Sequence, residues 1–128
     1  MAHTSSKAAV GSVGFLVIAA LAAGAAHAQD YPAKPVRVIV PYAPGGGLDA
    51  VGRPLFQRLG ESLRQPFVME NRPGAGTTLG TAAVARAAPD GHTLLLTLSA
   101  MTIGPALYPN LPYDPIRDFA PVANLTRN

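Results

Sequence analysis

The sequence predicts an α/β fold built on a parallel sheet, and three observations carry that prediction. Short apolar runs rich in β-branched residues or leucine recur at 36–40, 67–69 and 92–98. Segments with helical spacing separate them, over 49–63 and from Thr77 or Thr78 to about residue 88. Glycine and proline gather at the junctions and leave the runs themselves nearly free. Strand, helix, strand, helix, strand at this spacing is the pattern of βαβ units with parallel strands and right-handed crossovers.

The first 28 residues read as an export signal and not as part of the fold. Lys7 supplies a positive start, residues 10–26 carry no charge, and Ala26-His27-Ala28 gives a small-x-small cleavage site before Gln29. The uncharged stretch is Ala- and Gly-rich and short for a membrane-spanning helix. The sequence has no cysteine, which leaves neither disulfides nor a thiol for lipid attachment. A mature chain free in the periplasm is expected.

Past Ala28 remain 100 residues, enough for one small domain, with 9 basic and 7 acidic side chains spread singly. The pI near 9.7 therefore signals no nucleic-acid partner, which would need clustered Lys and Arg. All 13 prolines and 10 of the 13 glycines fall in this part.

Taken in order, Val36-Arg37-Val38-Ile39-Val40 between Pro35 and Pro41 reads as a buried strand. Val51, Leu55, Leu59 and Leu63 recur every four residues and predict a helical face, although Gly52 and Pro54 interrupt it. Phe67-Val68-Met69 predicts the second strand, and 71–76 (NRPGAG) a loop. Thr77 or Thr78 would cap the second helix, which would pack through Leu79, Ala82, Ala83 and Ala87. Pro89-Asp90-Gly91 is a turn before the third strand at 92–98. Beyond it the pattern loosens: one or two helical turns at 103–108 around Pro105, irregular chain at 109–115, and a possible fourth strand from Pro121 to Thr126.

In an open parallel sheet, ligands bind beyond the carboxyl ends of the strands. The loops there are 41–48, 71–77 and 99–102. Three glycines in a row, Gly45 to Gly47, surrender every side chain, as a chain does where something must approach the main chain closely. Backbone N–H groups at the start of a helix, with its partial positive charge, form an anion site without a cationic side chain. Asp49 is either a first-turn acid that favours the helix or the residue that orders the glycine loop, holds a water or meets a ligand ammonium.

Other chemistries find little support. A phosphate loop of the Walker type needs Lys and Ser or Thr after its last glycine, where this chain has Leu48 and Asp49. Gly74, Gly76 and Gly80 approach a dinucleotide fingerprint, but Thr97 and Leu98 stand where a ribose-binding acid is needed. Ser99 has no Gly-x-Ser-x-Gly elbow, His92 is the one histidine after the signal, and no cluster has metal-ligand spacing. The sequence thus argues against an enzyme, a metal and a cofactor.

The stretches YPAKPVRVIVPYAPGGGLD, ENRPGAGTTLGTAAVARAAPDGHTLLL and PALYPNLPYDPIRDFAPVA resemble the Bug (TctC-like) extracytoplasmic solute receptors of tripartite tricarboxylate transporters, from about Tyr31 to Ala123. The resemblance implies a lobe like those of type II periplasmic binding proteins, in receptors that close two lobes on a small carboxylate and deliver it to membrane permease subunits. It implies first-lobe contacts from Gly46, Gly47, Leu48 and Asp49 and from Ser99, Ala100 and Met101, with Gly74, Ala75 and Gly76 shaping the cleft. Leu48 stands where the family commonly has Ser or Thr. By the same resemblance, 29–120 is the first lobe, 121–128 begins the strand crossing between lobes, and the second lobe is absent from this sequence. One lobe alone is expected to hold a carboxylate at millimolar strength or not detectably. The alternative is an exported α/β module whose glycine loops serve packing and bind nothing.

Overall fold

The computed structural model describes residues 31–126. The expected signal segment and its cleavage site lie outside the described residues. Three strands form one sheet: β1 (Val36–Val40), β2 (Phe67–Asn71) and β3 (Thr93–Leu95), in the order β2-β1-β3. Both pairings are parallel, with Val36 opposite Phe67 and Arg37 opposite Thr93. The helices are α1 (Gly47–Leu63), α2 (Thr78–Ala85) and α3 (Ala100–Leu107), and a 3₁₀ turn (Ala75–Thr77) leads into α2. The predicted α/β order holds.

The centre of the sheet is its driest part. Val36, Val38, Ile39 and Val40 are at most 1% exposed, as a middle strand covered on both faces should be. Val38 and Val40 join Phe56 of α1 and Leu96 in the core cluster, with Leu48, Leu59, Phe67, Met69 and Leu94 packed around it. Ile39 points to the other face by strand alternation, and α2 lies against β1 and β3.

The buried face of α1 differs from the one the spacing of four predicts. Asp49, Gly52 and Phe56 are buried, whereas Val51 and Leu63 are largely exposed and Leu55 and Leu59 half-buried. A helix turns once in about 3.6 residues, so a strict spacing of four walks about 40° round the axis at each step. Val51 and Leu63 therefore cannot share one face. Gly52 strengthens the packing: a Cβ there would come within 2.8 Å of Leu96 and 2.9 Å of Met69. Pro54 lies inside the helix and neither breaks it nor delays its start. Pro54 and Ala50, whose carbonyl loses its helical partner, are both exposed, where water can replace the lost bond.

Several boundaries also move. β2 runs two residues beyond the predicted strand, to Asn71. β3 is shorter than 92–98, although Leu96 N–H still donates to Ile39 O at 2.9 Å. α2 ends at Ala85, short of 88, and buries Gly80, Thr81 and Ala82, leaving Leu79 exposed. Thr77 precedes α2 with φ 79° and makes no side-chain cap; its carbonyl instead accepts from Thr81 Oγ1 at 2.9 Å. α3 starts three residues before the expected 103 and runs through Pro105. Residues 121–126 form no strand, because they pair with no neighbour among the described residues and an extended segment is a strand only when paired.

The glycines of α2 and α1 make opposed predictions. A Cβ on Gly80 would lie 2.7 Å from Arg72 O and 2.8 Å from Pro41 Cβ, whereas one on Gly47 meets nothing within 4 Å. Gly80→Ala is therefore expected to cost about 1–3 kcal/mol through overpacking against main chain. Gly47→Ala should stay within about 0.5 kcal/mol. Urea unfolding midpoints of the two variants check the contrast.

Candidate functional site

The site begins at the carboxyl end of β1. There the chain passes Pro41 and Tyr42 and enters α1 through the three glycines. Gly45 has φ 85°, a conformation that glycine takes without strain. Asp49, only 5% exposed, reaches back from the first turn of α1 to fix this loop. Its Oδ2 accepts from Gly45 N–H at 2.9 Å and from Arg53 Nη2 at 3.0 Å, one helical turn on. Its Oδ1 accepts from Asn71 Nδ2 at 2.9 Å.

Three donors on one carboxylate favour its charged form. The Asn71 amide contributes most, then the Gly45 N–H and the Arg53 guanidinium, and together they hold the Asp49 pKa at about 2. With both oxygens occupied, Asp49 orders the loop. This is one of the roles its sequence position allowed.

Beyond Gly45 the loop amides make no hydrogen bond of good geometry, although the turn at Pro44 and Gly45 brings Gly46 N–H near Ala43 O. Among the described residues, no protein acceptor takes the N–H of Gly46, Gly47 or Leu48; the first bonds of the helix are Asp49 N–H and Ala50 N–H to Gly46 O. Gly46, the N-cap, is extended, and Gly46 and Gly47 are exposed. Three consecutive donors at the positive end of a 17-residue helix are suited to an anion.

The second loop is held unusually. Gly74, Ala75, Gly76 and Thr77 follow one another with φ of 133°, 47°, 60° and 79°. Ala75 and Thr77 carry the cost of a left-handed conformation, and Gly76 has a second reason to be glycine. A Cβ there would run into the Tyr108 hydroxyl at the end of α3. The third loop leads straight into α3, so Ala100 and Met101 are first-turn residues and Ser99 is the N-cap, without a side-chain cap bond.

Tyr42 ties the three loops together. Its carbonyl accepts from Asn71 Nδ2 at 3.2 Å, and its hydroxyl accepts from Leu98 N–H at 3.4 Å. Beside it a groove of about 350 Å³ opens between the second loop and α3, lined by Tyr42, Gly76, Leu98, Ser99, Ala100, Ile103, Gly104, Leu107 and Tyr108. Of the residues expected at the site, Gly76, Ser99 and Ala100 line this groove. Gly46, Gly47, Leu48, Asp49, Gly74, Ala75 and Met101 do not. A larger groove of about 490 Å³ lies between α1 and β2, along Phe56, Gly60 and Phe67, away from the strand ends.

Sequence reasoning missed Asn71, Tyr42 and Arg53. Arg53 was legible as an i, i+4 partner of Asp49. Asn71 and Tyr42 act across 22 and 29 residues, so only the paired strands reveal them. His92 sits at the start of β3, with its ring 5.2 Å from that of Tyr31 and Nδ1 2.9 Å from Asp90 O. It takes no part in these loops.

A family model described as the tripartite tricarboxylate transporter family receptor matches residues 51–128. The chain belongs to this receptor family. BugT of Bordetella pertussis is 42% identical over 113 residues, covering 87% of this chain and 35% of BugT. A protein of Agrobacterium vitis from the ttuE-ttuC' intergenic region is 44% identical, covering 89% of this chain and 33% of its own length. This receptor chain thus spans about a third of the length of the curated relatives it matches. Among solved structures it is similar to the periplasmic binding protein BugD (44% identity, TM-score 0.66, 70% of this chain and 30% of BugD). It is also similar to MatC of Rhodopseudomonas palustris with bound malate (45% identity, TM-score 0.67, 72% of this chain and 32% of MatC). No helix of the described residues is long and apolar enough to cross a membrane.

The depressed pKa of Asp49 makes a pH prediction for this chain. A carboxylate whose folded pKa lies below its unfolded value stabilises above the unfolded value, near 4, and loses that contribution as pH falls through the folded pKa. The window for Asp49 is therefore from about pH 4 down to about pH 2. Asp90, paired with Lys34, titrates in the same range, so a variant is needed to isolate Asp49. The stability gap between the unmodified chain and Asp49→Asn should be constant from neutral pH to about pH 4 and narrow below it. Urea midpoints along a pH series check this.

Proposed function

We propose that the chain forms the carboxylate-receiving lobe of a periplasmic solute receptor, with the free N–H groups of Gly46, Gly47 and Leu48 as the anion-binding element. The observation that carries this reading is their lack of a protein acceptor while the neighbouring Gly45 N–H is locked by Asp49. Asp49 and Asn71 keep those donors in place. Ser99, Ala100 and Met101 face the ligand from the start of α3, and Gly74, Ala75 and Gly76 shape the wall beside it.

The related structures support the ligand class. MatC holds malate, and a second R. palustris protein similar to this chain (30% identity, TM-score 0.63) was solved with adipate. The partners on this reading are the membrane permease subunits of a tripartite tricarboxylate transporter. The chemistry is capture and release. Among the described residues, the polar side-chain groups around the groove are the hydroxyls of Ser99, Tyr42 and Tyr108, and none is hydrogen-bonded to a base that would activate it. A second lobe would complete the burial that tight binding of a small ligand requires. On this reading these residues by themselves hold a small carboxylate at millimolar strength or not detectably.

Backbone-amide NMR of the chain during titration with malate and adipate, against matched chloride, tests the reading. The expected result is saturable shifts at Gly46, Gly47 and Leu48, with smaller ones at Ser99 to Met101. Unmoved amides at 46–48 with both acids, or shifts reproduced by chloride, would favour the non-binding module. Asp49→Ala should release the Gly45 N–H, loosen the loop and weaken the titration about tenfold.

A further inference from the structure

The groove beside the amide loops has a chemical character that the carboxylate reading does not specify. Leu98, Ile103, Leu107 and Tyr108 contribute exposed apolar surface to it, with Ile103 49% and Leu107 66% exposed. Tyr42 both lines it and packs against the core cluster. Among the described residues, no charged side chain and no amide side chain lines it. A second carboxylate or a hydroxy-acid body placed there would give up its water for hydrocarbon, with few donors in return.

The groove also borders the strand-end loops, because Tyr42, from the loop that leads to the glycines, and Ser99 and Ala100, from the third loop, all belong to its lining. Its volume, about 350 Å³, lies at the lower end of the range for small-molecule sites. The Tyr42 hydroxyl is engaged with Leu98 N–H, so the ring is held in place. Gly76 brings the second loop against Tyr108, and both line the groove.

We infer that this groove is the subsite for the uncharged, apolar body of the ligand, and that the chain selects carboxylates bearing an aryl or alkyl group over short polar dicarboxylates. This rests on the carboxylate reading, since the acid group must reach Gly46 to Leu48 for the body to enter the groove. Selectivity then comes from Ile103, Leu107 and Tyr108, and the backbone amides serve every acid alike. Burying even part of a phenyl ring corresponds to about tenfold in affinity.

The test is an NMR titration of the chain with phenylacetate, acetate, malate and the neutral analogue benzyl alcohol. Phenylacetate should bind about tenfold more tightly than acetate or malate, and should shift both the 46–48 amides and the signals of Ile103, Leu107 and Tyr108. Benzyl alcohol should shift the groove signals alone. Ile103→Asn, at an exposed position that leaves the core intact, should bring phenylacetate down toward acetate and leave acetate unchanged. Malate binding as tightly as phenylacetate, with the 46–48 amides responding to both, overturns the subsite and leaves the carboxylate reading standing. Groove shifts with benzyl alcohol and no response of the 46–48 amides to any acid overturn the carboxylate reading, and the inference built on it falls too. Groove signals unmoved by both phenylacetate and benzyl alcohol overturn the subsite directly.

Discussion

One buried carboxylate sets the geometry at the carboxyl ends of the strands. Asp49 binds the glycine loop through Gly45, its own helix through Arg53 and the neighbouring strand through Asn71. Without it, three consecutive glycines would sample many conformations, and ordering them would fall to the ligand. With it, the chain enters α1 with one N–H satisfied and the next three without a protein acceptor among the described residues. The arrangement is electrostatically consistent: the negative side chain sits in the first turn, where the helix dipole favours it. Its charge is compensated by three donors.

The same tie reaches the other loops. Asn71 is the last residue of β2 and shares its amide between Asp49 and the carbonyl of Tyr42, and the Tyr42 hydroxyl meets the backbone of Leu98. Three strand ends are thus linked through two side chains. The sheet makes this possible, since parallel pairing of β1 with both neighbours places all three carboxyl ends on one side. The core beneath them is narrow. Gly52 and Gly80 are places where helix backbone approaches sheet and loop so closely that no side chain fits without displacement.

Much of this architecture was legible from residue pattern, and what was missed has physical causes. The β-branched run at 36–40 and the turn at 89–91 marked their elements because period and turn chemistry are local properties. The face of α1 was misjudged because leucines at a spacing of four outweighed the buried Phe56 and Gly52. Gly52 carries no hydrophobicity for a pattern to detect. The end of β2 and the roles of Asn71 and Tyr42 depend on which strands become neighbours, and no single segment encodes that. The left-handed run through Ala75 and Thr77 was equally hidden, since residues other than glycine rarely accept it. At the site, the glycine loop and Asp49 were readable as a unit, while the apolar groove, made by α3 against the second loop, was not.

Amide hydrogen exchange of the unliganded chain near neutral pH addresses the central claim most directly. If Asp49 holds the loop through one N–H and leaves its successors open, Gly45 should be protected and Gly46, Gly47 and Leu48 should exchange at nearly unprotected rates. Asp49→Asn should then reduce the protection at Gly45. Protection at 46–48 comparable to the helix interior, or a Gly45 amide that exchanges as fast as Gly46, would contradict it.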